Sequence, residues 1–353
     1  MNNINNIFTG AAMGAALTTA GVYAPDIILS QFTFTDFTML QTFLTAAAGS
    51  TLVVTAAQTL NLTTLPPRGP STLAAHRLGL GPGPLPSAAA PSWWTRYDGN
   101  LVGGALLGAG MALSGACPGT VLAQLGVGVA SGPYAMAGAV LGGVFWAWVV
   151  RRGCTPVSGG GGGGGVKEKK EEEEEKRVPI TPYEALGISR GAFAVAFEAA
   201  LVLATAAAVR YTDAGAARAR GVPPYLAGLS IAAAQLVSMV LRGSLLGASA
   251  AFEELGGWVW GGRRYANVLF SAGLVGGAWL MSSAVPALRP VSEVAVSPLS
   301  SVLGGFMIIV GSRIAGGCTS GHGISGLSLM SISSFVTVAA LFGTAGLTGL
   351  LMC

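Results

Sequence analysis

The fold is decided by a stretch that occurs twice, GALLGAGMALSGAC at residues 104–117 and GFMIIVGSRIAGGC at residues 305–318. In both copies a glycine precedes the final cysteine by thirteen, by seven and by two residues. Regularly placed glycines let apolar helices approach one another closely within a membrane. An internal repeat of this kind predicts a membrane protein of two related halves, in which Cys117 and Cys318 occupy equivalent positions.

The composition of the chain supports a location in the membrane. Hydrophobic residues make up 52% of the 353 residues, charged residues make up only 10%, and the mean hydropathy is +0.62. An ordinary soluble domain has about a quarter of its residues charged. The net charge of +4 is small and the sequence has no basic helix, which argues against nucleic-acid binding. We therefore predict an all-α polytopic membrane protein.

Nine apolar segments reach or approach the length of a membrane span. They cover residues 4–22, 38–60, 101–116, 134–150, 183–210, 225–246, 266–284, 298–315 and 335–352. The N-terminus lacks the positive region of a cleaved signal peptide, so we expect the first segment to stay in the membrane. Alignment on the two cysteines gives a repeat offset of five segments. An odd offset predicts that the second half has inverted topology.

A glycine run followed by a Lys/Glu block separates the two halves at residues 158–182. Such a composition cannot bury apolar surface, so we predict a disordered linker there. The transmembrane halves are then residues 1–157 and 183–353. Lys and Arg residues of the connecting loops, Arg68 and Arg263 among them, fall mostly on one side if the N-terminus is cytoplasmic. We expect this orientation in a plasma membrane or a bacterial inner membrane.

Each repeated cysteine lies where an apolar helix is expected to break. As a helix, residues 101–116 cover about 24 Å, which is less than the roughly 30 Å of a hydrocarbon core. Pro118 and Gly119 then interrupt the helix, and Thr120 is a suitable N-cap for a new one. The corresponding residues of the second copy are Thr319, Ser320 and Gly321. We predict short re-entrant helices, because broken backbone at membrane depth must line a cavity or be buried in protein.

These breaks form a candidate site for an anion. Helix N-termini offer free backbone N–H groups and the positive end of the helix dipole. Arg313 adds a charge within an apolar segment, where a charge is functional by default, and His322 can add a hydrogen bond. The candidate substrate-binding residues are Cys117, Cys318, His322, Arg313, Gly119, Thr120, Thr319, Ser320 and Gly321.

Structural roles stay open for several of these residues. A buried cysteine commonly acts as a small hydrophobic residue, and we expect this of Cys154 and Cys353. His322 could serve only to satisfy a loop backbone. Arg313 could serve only as a partner of helix carbonyl groups.

Two motifs resemble the YeeE/YedE-type sulphur transport family: SGACPGT at residues 114–120 and the more specific GGCTSGHGISG at residues 316–326. The pattern extends over both halves. The resemblance implies an hourglass-like helical channel with short re-entrant helices, in which Cys117 and Cys318 hand thiosulfate along. Family members often carry a further cysteine in the first short element, where this chain reads TTAGVYAP at residues 18–25. We therefore expect a transporter or channel for thiosulfate or a related sulfur-containing anion, working with fewer thiols.

Two other classes of function use the same residues. The cysteines could form a thiol redox or sulfur-transfer pair in a membrane enzyme, or could carry a soft metal together with His322 and Met111. The absence of a C-x-x-C motif and of a general base argues against the enzyme, and the scarcity of histidine and acidic residues near the site argues against the metal carrier. We expect no catalytic residue, no metal site and no cofactor. The expected partners are a small anion and the lipid bilayer.

Overall fold

The computed structural model of the protein describes residues 3–73, 93–153, 179–211, 222–289 and 296–352. Within these ranges the chain forms helices and no β-strand. Most of the predicted linker, together with Cys154 and Cys353, lies outside the described residues. The prediction of a helical, multi-pass membrane protein is confirmed.

Thirteen helices of seven or more residues lie within the described ranges. In chain order they are α1 (Asn3–Thr19), α2 (Pro25–Phe32), α3 (Thr38–Thr59), α4 (Asp98–Ser114), α5 (Pro118–Val127), α6 (Gly132–Gly153), α7 (Arg190–Tyr211), α8 (Pro224–Arg242), α9 (Ala250–Val259), α10 (Ala266–Ala284), α11 (Pro298–Ile314), α12 (Ser320–Gly326) and α13 (Ile332–Met352). Helix α12 has the wide winding of a π-helix. Short turns at Trp93–Arg96, Pro182–Leu186 and Pro286–Leu288 lie in the connections.

Seven helical stretches of the described part are long and apolar enough to cross a membrane. They are α3, α4 together with α5, residues 132–150 of α6, α7, α8, α10 and α13. Helices α1 and α11 correspond to the first and eighth predicted segments but have only 17 residues each. Seventeen residues cover about 26 Å, which is short of a full hydrocarbon core. The total of nine spans and the re-entrant character of the short helices stay predictions.

The order of helices in the first half recurs in the second. Helices α1 to α6 correspond in order to α8 to α13, with the short helices α2 and α5 matching α9 and α12. Counterpart helices also make counterpart contacts. Helix α1 packs on α10, and its counterpart α8 packs on α3. In the same way α4 packs on α13, and its counterpart α11 packs on α6. Helices α4 and α11 cross each other, whereas α7 packs on α3 and has no counterpart. The two halves therefore interlock.

The repeated glycines lie at these helix contacts. A Cβ atom at Gly104 would lie 2.8 Å from a backbone oxygen of α13, and a Cβ at Gly305 would overlap a backbone oxygen of α6. At the α4–α11 crossing, a Cβ at Gly110 would lie 2.8 Å from backbone atoms of α11. A Cβ at Gly311 would lie 2.5 Å from a backbone nitrogen of α4. The glycine repeat thus permits backbone-to-backbone packing, which supplies much of the association energy in lipid.

We expect Gly305→Ala to destabilise the protein by about 1–3 kcal/mol, because the added methyl group overlaps a backbone atom that cannot move aside. Gly343→Ala is the matched control, since that glycine lies in α13 with no atom within 4 Å of the added Cβ. There the change removes a poor helix former and should leave stability unchanged or slightly higher. Thermal unfolding of the detergent-purified variants measures both effects. Equal unfolding temperatures of Gly305→Ala and Gly343→Ala would show that the helices at Gly305 move apart at little cost in stability.

Candidate functional site

Both broken helices end at a glycine in the left-handed backbone region. Gly115 follows α4 with a φ of +60°, and Gly316 follows α11 closely with a φ of +82°. Residues with a Cβ rarely adopt this conformation, which is why glycine commonly ends a helix. Cys117 and Cys318 each come two residues later. The chain therefore presents both cysteines directly after a helix end that glycine makes possible.

Cys117 caps the N-terminus of α5 through its sulfur. The backbone N–H of Thr120 donates to the Cys117 Sγ at 3.4 Å, and the backbone N–H of Cys117 donates to the Thr120 Oγ1 at 2.6 Å. This is a capping box in which sulfur replaces the usual oxygen. The prediction of Thr120 as N-cap is wrong, because the helix already begins at Pro118, whose fixed φ suits a first helical position. The Cys117 thiol is held at the positive end of α5.

Cys318 lies where two helix N-termini meet. Its Sγ lies 3.3 Å from the Ser320 Oγ at the start of α12. The backbone N–H groups of Gly321, Ala248 and Ser249 also face this sulfur. Ala248 and Ser249 come directly before α9, so the second half supplies both helix ends. Within the described part of the chain, Cys117 and Cys318 are both buried free thiols.

A cavity of about 50 Å³ lies between the two helix breaks, which are called the first break (residues 115–120) and the second break (residues 316–321). The first break contributes Cys117, Gly119 and Thr120 to its wall, and the second contributes Thr319 and Ser320. The volume has room for a few water-sized groups. The remaining wall is mostly apolar and consists of Met13, Leu17, Val22, Met39, Thr42, Phe43, Ala46, Ile231 and Ile324. Tertiary structure therefore brings five of the nine candidate residues into one cavity.

His322 is buried and has protein partners at both ring nitrogens. Its Nδ1 lies 3.0 Å from the Ser334 Oγ, and its Nε2 lies 3.1 Å from the carbonyl oxygen of Ala315. These contacts tie α12 to α13 and to the end of α11. His322 therefore holds the second break in shape, and the ring does not line the cavity.

Arg313 is neutralised by a carboxylate. Its Nη1 donates to the Glu253 Oε2 at 2.6 Å, and its Nη2 donates to the Ser249 Oγ at 2.6 Å. Both partners belong to α9 or to its N-terminus, whose backbone faces Cys318. The contacts give Arg313 a positioning role, because they fix the end of α9 beside the thiol.

Arg68, which the sequence indicates only as one of the cytoplasmic loop charges, also belongs to this region. The described residues 60–73, which follow α3, fold back onto the second break, where the backbone N–H of Arg68 donates to the Ser331 Oγ at 2.7 Å. The Ser333 Oγ donates to the Arg68 carbonyl at 3.0 Å, and the Arg68 Nη1 donates to the Gly316 carbonyl at 3.2 Å. Partners 248 or more positions away leave no local signal in the sequence.

The described residues contain no group of three or more His, Cys, Asp and Glu side chains arranged to hold a metal ion. Met111, which the metal-carrier hypothesis invokes, accepts a hydrogen bond at its Sδ from the Thr319 hydroxyl at 3.2 Å. Its thioether therefore stabilises the contact between α4 and the second break.

Comparison with known proteins places the chain in a family. The sulphur transport family matches residues 20–347, a range that includes both cysteine motifs. Two similar proteins from Xylella fastidiosa, strains Temecula1 and 9a5c, are each described as a probable transporter. They are 31% and 30% identical over 116 residues, which make up 33% of this chain and 83% of each relative. The chain belongs to the sulphur transport family, and the resemblance inferred from its motifs is confirmed.

Proposed function

We propose that this member of the sulphur transport family transports thiosulfate or a related sulfur-containing anion across a membrane, passing it between Cys117 and Cys318. The observation that carries the proposal is the cavity whose wall contains Cys117 and, from the second break, Thr319 and Ser320, the two residues that directly follow Cys318. With a cytoplasmic N-terminus and an inverted repeat, α4 runs outward to Cys117 and α11 runs inward to Cys318. The two thiols then succeed one another along the transport path.

The chemistry of the cavity supports an anion as the substrate. Among the described residues that line it, none is acidic, and the Ser320 hydroxyl is a potential donor, whereas the hydroxyl groups of Thr42, Thr120 and Thr319 already donate to protein acceptors. Helix α5 begins at the cavity with its free backbone N–H groups, and backbone N–H groups also face Cys318. Helix N-termini bind anions through such groups and through the helix dipole.

The sulfur atoms of the site support an anion with a terminal sulfur, such as thiosulfate, over sulfate. Thiosulfate and sulfate carry the same charge, so fixed charges and backbone N–H groups alone do not discriminate between them. A neutral thiol donates its S–H weakly to the soft terminal sulfur of thiosulfate. Met13 and Met39 add polarisable thioethers to the same wall. Transfer from Cys117 to Cys318 then exchanges one hydrogen bond for another, and no covalent bond forms.

Uptake of radiolabelled thiosulfate into liposomes that contain the purified protein alone tests this proposal. We expect uptake above that of protein-free liposomes, inhibited more strongly by excess unlabelled thiosulfate than by excess sulfate. A redox or sulfur-transfer enzyme would instead require an added reductant or acceptor. Absence of uptake by correctly folded protein, or dependence on such a co-reactant, would overturn the proposal.

A further inference from the structure

The guanidinium group of Arg68 has one complete edge without a partner. Its Nη1 donates to the Gly316 carbonyl, but its Nε is inaccessible to solvent and has no hydrogen-bond partner among the described residues. The Nη2, which forms the other half of the same edge, likewise makes no hydrogen bond within the described ranges. No carboxylate of the described residues pairs with Arg68. The two parallel N–H donors of this edge and the charge of the guanidinium are therefore without a partner among the described residues.

This edge lies beside the thiol of Cys318. The Arg68 Nη2 is 3.5 Å, and the Cys318 Sγ is 3.6 Å, from the position that a Cβ would take at Gly321. A Cβ at Gly317 would lie 2.9 Å from the Arg68 Nη1. Two glycines thus leave the space through which the guanidinium and the thiol approach each other. Any larger residue at position 317 would displace the arginine.

A half-buried cation of this kind needs a compensating negative charge, because removing a charge from water without a partner is unfavourable. The neighbouring Arg313 has such a charge in Glu253, at 2.6 Å. Arg68 lacks one within the described part of the chain. A planar guanidinium edge matches two oxygens of an oxyanion and binds them with two parallel hydrogen bonds.

We propose that Arg68 forms a second anion-binding point next to Cys318, which receives the oxyanion end of the substrate through its Nε and Nη2. This inference rests on the proposed function. With the N-terminus cytoplasmic, the segment that carries Arg68 lies on the cytoplasmic side, so Arg68 follows Cys318 on the path. The thiol binds the soft sulfur end of the anion, and the arginine draws the oxygen end onward.

Thiosulfate affinity and uptake of Arg68→Gln, Arg68→Lys and Arg263→Gln test this inference. Loss of a hydrogen-bonded charge pair weakens binding by roughly 10- to 100-fold, which we expect for Arg68→Gln. Arg68→Lys keeps the charge but loses the paired donors, so it should fall between the wild type and Arg68→Gln. Arg263→Gln removes an exposed arginine predicted on the same membrane side and should leave both measurements unchanged.

Thermal unfolding with and without thiosulfate separates binding from support of the loop. A ligand that binds only the folded state raises the unfolding temperature. We expect this rise in the wild type and in Arg263→Gln, and its loss in Arg68→Gln. If Arg68→Gln does not fold, the thiosulfate affinity of Arg68→Lys is the deciding measurement. A measurable affinity below that of the wild type supports the inference. An affinity equal to that of the wild type, or no measurable affinity, overturns it.

The same experiment distinguishes failure of this inference from failure of the proposed function. If the wild-type protein takes up no thiosulfate, the proposed function is wrong. If the wild type takes up thiosulfate and Arg68→Gln binds it equally well, only the role of Arg68 is wrong.

Discussion

Replacement of Cys117 or Cys318 with alanine is expected to remove nearly all thiosulfate uptake while the protein stays folded in the membrane. Each thiol binds the anion at a different step of the proposed path, so loss of either thiol interrupts transport. Loss of one hydrogen bond to a charged ligand corresponds to roughly a 10- to 100-fold lower rate. Because the times of successive steps add, the double variant should be at most about twofold slower than the slower single variant, rather than slower by the product of the two effects.

The liposome assay and the unfolding temperature measure this prediction together. Cys154→Ala and Cys353→Ala are the matched controls, since they make the same chemical change at cysteines expected to have no role in transport. Serine at either position places a hydroxyl donor nearly where the thiol was. We expect the serine variants to bind sulfate and thiosulfate with similar, low affinity. Wild-type uptake in Cys117→Ala and Cys318→Ala would show that the thiols only pack.

A leucine at Gly119 is expected to block transport by filling the cavity. Gly119 is the second residue of α5, and a Cβ there would make ordinary contacts at 3.6 Å with Met13 and 3.8 Å with Leu17. The position therefore tolerates a side chain at its base. The further three carbons of leucine must extend toward a cavity of only about 50 Å³. We expect uptake near that of protein-free liposomes.

Gly119→Ala is the control for this prediction, because its methyl group fits and leaves most of the cavity free. It should retain most of the uptake. Leucine also forms helices better than glycine by about 1 kcal/mol, so the helix itself is not weakened. Retained uptake in Gly119→Leu, with a wild-type unfolding temperature, would mean that the anion takes a path outside this cavity.

The sequence by itself determined the class of the protein and the equivalence of its two cysteines. Hydrophobic length and composition are local properties, and lipid requires every backbone polar group to be satisfied within a helix. The predicted segment 298–315 accordingly appears as Pro298–Ile314, and the segment 266–284 as Ala266–Ala284. The glycine spacing that revealed the repeat also lies at helix contacts, because only glycine allows so close an approach.

Only the tertiary structure decided which charged and polar groups are free to act. Arg313 and Arg68 are both single arginines in the sequence, yet Glu253 neutralises the first from 60 positions away, and the second reaches Gly316 across 248 positions. His322 likewise has both ring nitrogens in contact with protein groups, Ser334 and the carbonyl of Ala315. A charge is available for a ligand only when no internal partner compensates it. That balance depends on which distant segments pack together, and no local pattern of residues records it.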